Sequence, residues 1–252
     1  MGRPVTLITG ASAGLGAEFA RQCAKRGEPL ALAARRRDRM EALAAELGGE
    51  VHIFEADLSK EGAAASLIAE LAAEGLSVGT LINNAGFGLA GAFADRPLAK
   101  LSEMIDLNVR TLTKLCHLVL PAMRERGKGG ILNVASTAAF QPGPNMAVYY
   151  ASKAYVLSFT EALHHELKGT GINVSALCPG PTHSEFSDVA DSHSPTLERM
   201  KMPAAPVVAL GLDGLGRNKA VVIPGFKNKV GAQMSRLLPR STMRNIIGRI
   251  KV

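Results

Sequence analysis

Short apolar runs alternate along the chain with longer stretches in which apolar residues recur at helical spacing. The short runs are nearly continuous and rich in β-branched residues, as expected for strands that are covered on both faces. Strands are therefore predicted at residues 5–9, 30–34, 51–55, 80–82, 130–135, 173–178 and 220–223. Helices are predicted in the stretches between them, such as residues 15–26, 38–47 and 60–74.

This alternation predicts a single α/β domain built from right-handed strand–helix–strand units. The expected architecture is a doubly wound parallel sheet of about seven strands with helices on both faces, since seven runs read as strands. Internal repeats and interdomain linkers are absent from the sequence. In such a fold, ligands bind at the carboxyl ends of the strands, so residues at those ends are the candidates for chemistry.

Composition narrows the class of protein. Hydrophobic residues make up 47% of the 252 residues and charged residues 20%, which excludes a disordered chain. The apolar runs are too short to span a bilayer, and Met1 to Pro4 lead directly into the first strand without room for a signal peptide. The three cysteines have no metal-site spacing. We therefore expect a soluble, cytoplasmic protein with reduced thiols and no metal ion.

Basic charge is concentrated at the end of the chain. The net charge is +7, yet nine lysines and arginines and no acid follow from Gly214 onward. Residues 226–252, here called the tail, mix these charges with apolar residues and read as two short amphipathic helices broken at Pro239. Four readings stay open: a membrane-surface anchor, a subunit contact, a cover over the substrate cleft, or a packed end with solvated charges. A nucleic-acid partner is not expected, because aromatic and groove-reading motifs do not accompany the charge.

A glycine-rich turn joins the first predicted strand to the first predicted helix. It reads Thr9-Gly-Ala-Ser-Ala-Gly-Leu-Gly16. Glycines permit a tight turn and close backbone approach, and the free N–H groups of a helix N-terminus attract a diphosphate. Because the Gly-Lys-Ser/Thr ending of nucleoside triphosphate loops is absent, the turn predicts a dinucleotide site in a Rossmann fold. Residues 1–225 are accordingly predicted to be the dinucleotide-binding and catalytic domain, with the tail as an extension of it.

The end of the second strand predicts which dinucleotide is bound. An acidic residue there would bind the ribose 2′-hydroxyl of NAD, but the strand is followed by Arg35, Arg36 and Arg37. The planar guanidinium of arginine suits a 2′-phosphate, to which it donates two charge-assisted hydrogen bonds. We therefore predict that NADP (NADPH) is preferred over NAD, with Arg35 and Arg36 as contacts and Arg37 as a solvated helix start.

An acid/base pair is predicted in a helical stretch of the second half of the chain. Tyr149 and Lys153 are four residues apart and share one helix face, where an ammonium group lowers the pKa of a phenol. Tyr150 points elsewhere and reads as packing or pocket wall. Ser136, after the fifth strand, is placed to hydrogen-bond a substrate oxygen. Asn108 reads either as a satisfied core amide or as the holder of a water that relays protons.

Taken together, these segments resemble the short-chain dehydrogenase/reductase family over essentially the whole chain. The matching segments are 9–16, 57–58, 83–86, 108–109, Ser136, 149–153 and 179–180. The resemblance implies that Tyr149 is the general acid/base and that Ser136 orients the substrate carbonyl. It also implies that Lys153 binds the nicotinamide ribose and lowers the tyrosine pKa, while Asn108 holds the relay water.

The resemblance also implies a set of cofactor-binding residues. Asp57 is similar to a contact of the adenine amino group, residues 84–86 would line the adenosine side, and residues 179–180 would shape the nicotinamide pocket. Ser184 stands where a threonine usually contacts the carboxamide, and Ala13 stands where many NADP-dependent relatives have a basic residue. The complete set is Gly10, Ser12, Gly14, Leu15, Gly16, Arg35, Arg36, Asp57, Leu58, Asn84, Ala85, Gly86, Tyr149, Lys153, Pro179, Gly180, Thr182 and Ser184.

The substrate is expected to be an apolar ketone, aldehyde or alcohol. In the family, the segment corresponding to residues 186–206 covers the substrate, and here it is rich in adaptable apolar side chains. Candidate lining residues are Phe87, Leu89, Phe93, Val189, Leu197, Met200 and Met202.

Three functions are weighed from the sequence. The first is a carbonyl reductase or alcohol dehydrogenase. The second is a non-catalytic NADP-binding redox sensor or scaffold, and the third is a membrane-surface lipid reductase whose tail delivers the substrate. The resemblance further implies a homodimer or homotetramer formed through the helices that contain Asn108 and Tyr149.

Overall fold

Seven parallel strands form a single sheet in the computed structural model, which describes residues 2–192 and 198–249. The spatial order is β3-β2-β1-β4-β5-β6-β7. The strands are β1 (Arg3–Thr9), β2 (Leu30–Ala34), β3 (Val51–Glu55), β4 (Leu76–Asn83), β5 (Gly129–Val134), β6 (Ile172–Leu177) and β7 (Val221–Val222). All six neighbouring pairs are parallel, which confirms the predicted doubly wound sheet.

Helices connect the strands and extend beyond the last one. They are α1 (Gly14–Lys25), α2 (Arg37–Leu47), α3 (Ala63–Ala73), α4 (Leu98–Ile105), α5 (Leu112–Arg126), α6 (Ala147–Glu166), α7 (Phe186–Val189), α8 (Ala204–Gly216), α9 (Phe226–Leu237) and α10 (Arg240–Gly248). A π-helical segment, Asp106–Thr111, joins α4 to α5. Short 3-10 turns lie at Phe93–Asp95 and Thr137–Phe140.

Two predicted boundaries differ from the observed ones by three residues or more. Helix α3 begins at Ala63 rather than at residue 60, because Gly62 adopts a left-handed conformation with φ of 80° directly before it. Strand β4 begins at Leu76 rather than at residue 80, because its first residues pair with the start of β1. Propensity alone did not reveal this extension, since Ser77 and Gly79 interrupt the apolar pattern.

The hydrophobic core lies on both faces of the sheet. Successive side chains of a strand point to opposite faces, and Leu7 packs into one apolar cluster while its neighbour Ile8 packs into the other. Residues of α3, α5 and α6 complete the first cluster, and residues of α1, α2 and α8 complete the second. The continuous apolar strands seen in the sequence are thus explained by burial from both sides.

The strand order reverses between β1 and β4. The chain runs outward from β1 to β3 and then returns to place β4 on the other side of β1. At such a reversal the loops after the two strands diverge and leave a crevice, where ligands bind. The glycine-rich turn after β1 and the loop after β4 flank this crevice.

The described part of the tail forms the two predicted helices, α9 and α10, separated at Pro239. Helix α9 packs against the 3-10 turn that follows β5. Met243 of α10 is buried, and Gly248 lies close to the Pro144 ring. The tail therefore lies over the carboxyl edge of the sheet. Within the described ranges, the structure contains no helix whose length and apolar character would let it cross a bilayer.

Candidate active site

The glycine-rich turn forms a cradle at the N-terminus of α1. Gly10 and Gly14 have positive φ angles of 66° and 52°, a conformation that favours glycine. The N-cap residue, Ala13, supplies no side-chain hydrogen bond, and the first turn of α1 contains no acidic residue. The N–H groups at the helix start are thus available to an anion, and their partial positive charge favours a diphosphate. The cradle fits the expected dinucleotide.

Gly16 has a packing role, and its expected contact with the cofactor stays a prediction. A Cβ atom at this position would lie 2.1 Å from the carbonyl oxygen of Gly10 and 2.7 Å from the Asn84 amide nitrogen. The residue lies beneath the turn and does not line the cleft. Its absent side chain lets α1 approach the turn closely.

A cleft of about 580 Å³ runs along the carboxyl ends of the strands. At one end lie the glycine-rich turn and the arginines that follow β2, and at the other end lie Tyr149 and Lys153. All predicted cofactor-binding and catalytic residues line this cleft except Gly16 and Asn108. Residues that are up to 174 positions apart in the sequence, from Gly10 to Ser184, therefore meet in one site.

The arginines after β2 differ in their surroundings. Arg36 donates from Nε and Nη2 to the Ser12 hydroxyl, at 3.3 and 3.2 Å, and its Nη1 lies 2.9 Å from Glu185 Oε2. Arg35 is exposed, and its guanidinium lies 3.5 Å from a carboxylate oxygen of Glu103. Arg37 pairs with Glu41 one helical turn away, as expected of a solvated helix start. Arg36 is thus the better placed of the two predicted phosphate contacts.

The loop after β4 is fastened to the glycine-rich turn. The Asn84 amide donates to the carbonyl oxygen of Thr9 at 2.9 Å, and the backbone N–H groups of Asn84 and Ala85 both donate to the Thr9 hydroxyl at 3.0 Å. On the adenine side, the Asp57 carboxylate accepts from the Ser59 hydroxyl at 2.7 Å. The bonds to Thr9 connect the two loops that flank the crevice, and the bond from Ser59 orients the Asp57 carboxylate.

Ser136, Tyr149 and Lys153 meet at the opposite end of the cleft. Ser136 follows β5, while Tyr149 and Lys153 lie one turn apart near the start of α6. Lys153 Nζ donates to the carbonyl oxygen of Val134 at 2.8 Å and lies 5.9 Å from the centre of the Tyr149 ring. Tyr149 and Lys153 are both buried. The helical spacing seen in the sequence thus brings phenol and ammonium to one wall of the cleft.

Burial controls the ionisation of this pair. It raises the pKa of Tyr149 to about 12, and the nearby Ser136 hydroxyl opposes that shift only in part. Burial also lowers the pKa of Lys153 to about 8. Desolvation of the phenolate is the largest effect on the Tyr149 pKa, and the lowering expected from the Lys153 ammonium stays a prediction. Tyr149 keeps its proton at neutral pH.

Asn108 lies in the π-helical segment and is fully buried. Its amide nitrogen donates to the carbonyl oxygen of Phe87 at 2.9 Å and to the Ser152 hydroxyl at 3.1 Å, and its amide oxygen accepts from the N–H of Phe87 at 3.1 Å. Ser152 in turn donates to the Tyr149 carbonyl oxygen at 2.7 Å. The side chain ties the loop after β4 to α6. This geometry favours the interpretation of Asn108 as a core amide with satisfied hydrogen bonds over its interpretation as the holder of a relay water.

The substrate end of the cleft is mainly apolar. Of the predicted lining residues, Phe87, Val189 and Met200 line it, whereas Leu89 packs behind it and Met202 joins the core on one face of the sheet. Phe93 is 62% exposed and lies outside the cleft, and Leu197 lies outside the described residues. Further walls come from Ala138, Pro144, Met146, Tyr150, Phe186, Ala232 and Ile247.

Several residues that line the cleft or form ion pairs at its edge were not predicted from the sequence. Lys227, Asn228 and Ala232 of α9 line the cleft, whereas the sequence offered a cover over the cleft as only one of four readings of the tail. Arg39 pairs with Glu185 beside Arg36. The spacing of three residues between Arg36 and Arg39 is the only signal in the sequence that places the two arginines on one side of a helix. Nothing in the sequence marked Glu185, because its partners lie 146 and 149 residues away.

Comparison with known proteins gives matches over most of the chain. A family model described as short chain dehydrogenase matches residues 4–194. The chain is 42% identical over 187 residues to sulfoacetaldehyde reductase 2 of Chromohalobacter salexigens, covering 73% of this chain and 74% of that protein. It is 33% identical over 250 residues to very-long-chain 3-oxoacyl-CoA reductase of Anas platyrhynchos, covering 96% and 78%. A solved short-chain dehydrogenase from Sphingobium yanoikuyae, in complex with NADPH, aligns with a TM-score of 0.82 and 34% identity over 93% of this chain and 94% of that one.

Proposed function

The chain belongs to the short-chain dehydrogenase family of oxidoreductases, and on that premise we propose that it reduces or forms a carbonyl group on an apolar substrate with NADP as cofactor. The observation that carries the proposal is the meeting of Ser136, Tyr149 and Lys153 in one cleft with the glycine cradle and Arg36. A protein that only binds the cofactor needs the glycine cradle and nothing more. The acid/base groups at the far end of the cleft are needed only if a reaction takes place there.

The residues divide the chemistry between them. When bound, the nicotinamide cofactor supplies or accepts the hydride. Tyr149 holds a proton on its hydroxyl at neutral pH and donates it to the substrate oxygen as negative charge develops there. Ser136 offers a second hydrogen bond to that oxygen, and the Lys153 ammonium supplies positive charge at the same end of the cleft and would bind the nicotinamide ribose. Asn108 positions α6 and the loop after β4.

The direct test follows NADPH oxidation by absorbance against aldehydes and ketones of increasing chain length, with NADPH binding measured separately. Turnover that improves with chain length supports an oxidoreductase with an apolar substrate. Tight NADPH binding without turnover of any compound supports the alternative, a non-catalytic redox sensor or scaffold. Sulfoacetaldehyde belongs in the panel, because a relative 42% identical to this chain is a sulfoacetaldehyde reductase.

NADP preference rests on Arg36, which already holds the Ser12 hydroxyl of the glycine-rich turn. The solved relative from Sphingobium yanoikuyae contains NADPH, which supports the same assignment. Replacing Arg36 by alanine is expected to weaken NADPH binding about 10- to 100-fold, since a hydrogen bond to a charged group contributes about 1.5–3 kcal/mol. NADH binding should change much less, as it has no 2′-phosphate.

Arg37→Ala is the matched control for that measurement. Arg37 belongs to the same run of arginines, but it pairs with Glu41 and does not line the cleft. Its variant should bind both cofactors as the wild type does. If Arg36→Ala weakens NADPH and NADH binding equally, the 2′-phosphate is not recognised there and the NADP assignment is lost.

A membrane-surface role is favoured by one specific observation. Phe226, Val230, Met234 and Leu237 are spaced four, four and three residues apart on α9, so they form one apolar stripe on the helix. All four are exposed, Phe226 by 81% and Leu237 by 78%. The opposite face of α9 lines the cleft through Asn228 and Ala232. An apolar stripe flanked by basic residues is typical of a helix that binds an anionic lipid surface. An apolar substrate dissolved in that membrane would then enter the cleft from the lipid.

The stripe makes a prediction for vesicle binding. The double variant Phe226→Gln, Leu237→Gln is expected to bind vesicles of phosphatidylglycerol and phosphatidylcholine at least about tenfold more weakly in cosedimentation, because each buried apolar side chain contributes about 1.5–3 kcal/mol. Leu98→Gln is the control, since Leu98 is equally exposed, at 75%, on a different helix. Unchanged vesicle binding would exclude the membrane role, and a change in oligomeric state instead would identify the stripe as a subunit contact.

Assembly into a homodimer or homotetramer is proposed through α4 to α6. Ile105 and Tyr155 are exposed on these helices, and Tyr155 stacks on Phe159 with ring centres 5.8 Å apart. Such apolar surface on neighbouring helices is typical of subunit interfaces. The cytoplasmic location stays a prediction.

A further inference from the structure

An ion-pair cluster spans the cleft at the end where the ribose 2′-phosphate is proposed to bind. The Glu185 carboxylate lies between two arginines: Oε2 accepts from Arg36 Nη1 at 2.9 Å, and Oε1 accepts from Arg39 Nη1. The same Arg36 guanidinium donates to the Ser12 hydroxyl of the glycine-rich turn. All three charged side chains are about half-exposed, so the cluster is open to an incoming ligand.

Glu185 presents these arginines with the chemistry of a phosphate. A carboxylate bridging two guanidinium groups offers oxygen acceptors and negative charge, as a phosphate monoester does with more of both. The arginines hold the pKa of Glu185 below its usual range, so the carboxylate is ionised at neutral pH. A 2′-phosphate that reaches Arg36 therefore meets a competing anion already in place, and the two anions repel each other.

Glu185 also belongs to a segment that reaches the catalytic end. Residues 181–192, here called the lid segment, follow β6 and cross over the cradle, where a Cβ on Gly14 would lie 2.9 Å from the Ser184 Cβ. The next residue after Glu185 is Phe186, whose ring lies 5.2 Å from the centre of the Tyr149 ring. Farther along, the Ala90 N–H donates to the Ala190 carbonyl oxygen at 2.8 Å. The start of the lid segment is paired with Met202, whose N–H donates to the Pro181 carbonyl oxygen at 2.9 Å and whose carbonyl oxygen accepts from the His183 N–H at 3.0 Å. Beyond His183, the segment is held by Glu185 and by Ala190.

We propose that Glu185 is a specificity-determining residue that occupies the place of the 2′-phosphate between Arg36 and Arg39 and gives it up when that phosphate binds. Release of Glu185 frees the stretch between His183 and Ala190, which contains Phe186, so binding at the adenosine end is transmitted to the wall of the catalytic end. NAD, which lacks the phosphate, leaves Glu185 in place. This inference rests on the proposed NADP function and extends it, because the 2′-phosphate would both bind to Arg36 and change the conformation of the lid segment.

The test uses nucleotide fragments that lack nicotinamide, and so it does not depend on catalysis. The chain contains no tryptophan, which makes a single Val189→Trp substitution in the lid segment an unambiguous fluorescent reporter. In that background, Glu185→Gln removes the charge with little change in shape. Asp188→Asn is the matched control, since Asp188 is an exposed carboxylate of the same segment that does not line the cleft. Each protein is titrated with adenosine 2′,5′-bisphosphate and with adenosine 5′-monophosphate.

The expected result has two parts. Glu185→Gln binds the bisphosphate about tenfold more tightly than the parent does, because the competing charge is gone, whereas its affinity for the monophosphate is unchanged. In the parent and in Asp188→Asn, the bisphosphate changes the tryptophan signal and the monophosphate does not. In Glu185→Gln, the signal without ligand already resembles that of the phosphate-bound parent.

Other outcomes separate the two proposals. If the parent prefers the bisphosphate but Glu185→Gln binds it equally or more weakly, Glu185 supports Arg36 rather than competing with the phosphate, and the inference fails while NADP recognition stands. If both fragments change the tryptophan signal alike, the coupling to the lid segment is refuted. If neither the parent nor Glu185→Gln prefers the bisphosphate, the NADP assignment fails as well.

Discussion

Replacing Tyr149 by phenylalanine is expected to lower kcat for carbonyl reduction by about 10³-fold, within the range that positioned general acids contribute. The substitution removes only the hydroxyl that donates the proton. The ring, which packs in an edge-on arrangement against Tyr150 and beside Phe186, stays in place. NADPH binding should therefore remain within about twofold of the wild type, since the phenol contributes little to ground-state affinity. Absorbance kinetics and equilibrium binding of NADPH measure the two quantities separately.

Tyr155→Phe is the control for this loss. Tyr155 lies on the same helix, but its hydroxyl pairs with Thr113 at 2.9 Å outside the cleft. Turnover by Tyr155→Phe should match the wild type. A Tyr149→Phe enzyme that retains more than about a tenth of the wild-type kcat would contradict the assignment of Tyr149 as the acid, because a lost general acid costs at least about 10²-fold.

Replacing Lys153 by methionine is expected to separate activity from stability. Loss of the cation near the substrate oxygen should lower kcat by roughly 10²-fold. Stability depends on pH through the lowered pKa of the buried ammonium, which is about 8 in the folded chain against 10.5 for an exposed lysine. Between these two values the unfolded chain holds a proton that the folded chain has released, so the stability of the wild type rises with pH.

The wild type should therefore gain up to about 3 kcal/mol relative to Lys153→Met as the pH rises from below 8 to above 10.5. Urea unfolding of both proteins at pH 7 and at pH 10 measures the difference, and comparison with the variant cancels titration of the remaining groups. Lys168→Met, at an exposed site, should show no such pH-dependent gap. A gap that stays constant with pH at Lys153 would show that its ammonium is not destabilised by burial.

The fold was predictable because its signals are local. Strands covered on both faces need continuous apolar residues, and the helices between them need apolar residues at a spacing of three and four, so both patterns are visible without tertiary structure. The turn after β1 was equally predictable from the sequence, because the left-handed backbone at Gly10 and Gly14 favours glycine at both positions. Where a boundary was misplaced, at β4, pairing with β1 had overridden the local pattern.

The chemistry of the site was only partly a local property. Helical spacing sufficed to bring Tyr149 and Lys153 to one face, and the run after β2 sufficed to propose Arg35 and Arg36. The direction of the Tyr149 pKa shift was not predictable, because it depends on how much water the packed structure removes from the phenol. The bonds of Asn108 to Phe87 and Ser152 likewise join separate elements and leave no trace in the sequence.

By itself, the sequence determined the parallel sheet, the glycine-rich turn and the placing of Tyr149 and Lys153 on one helix face, since each of these follows from a local pattern of residues. The tertiary structure alone decided that the tail lines the substrate cleft and that Glu185 lies between Arg36 and Arg39. Contacts of that kind join distant residues, as Arg36 and Glu185, which are 149 positions apart, show. Their geometry arises only when the whole sheet is assembled and its carboxyl edge brings distant loops together.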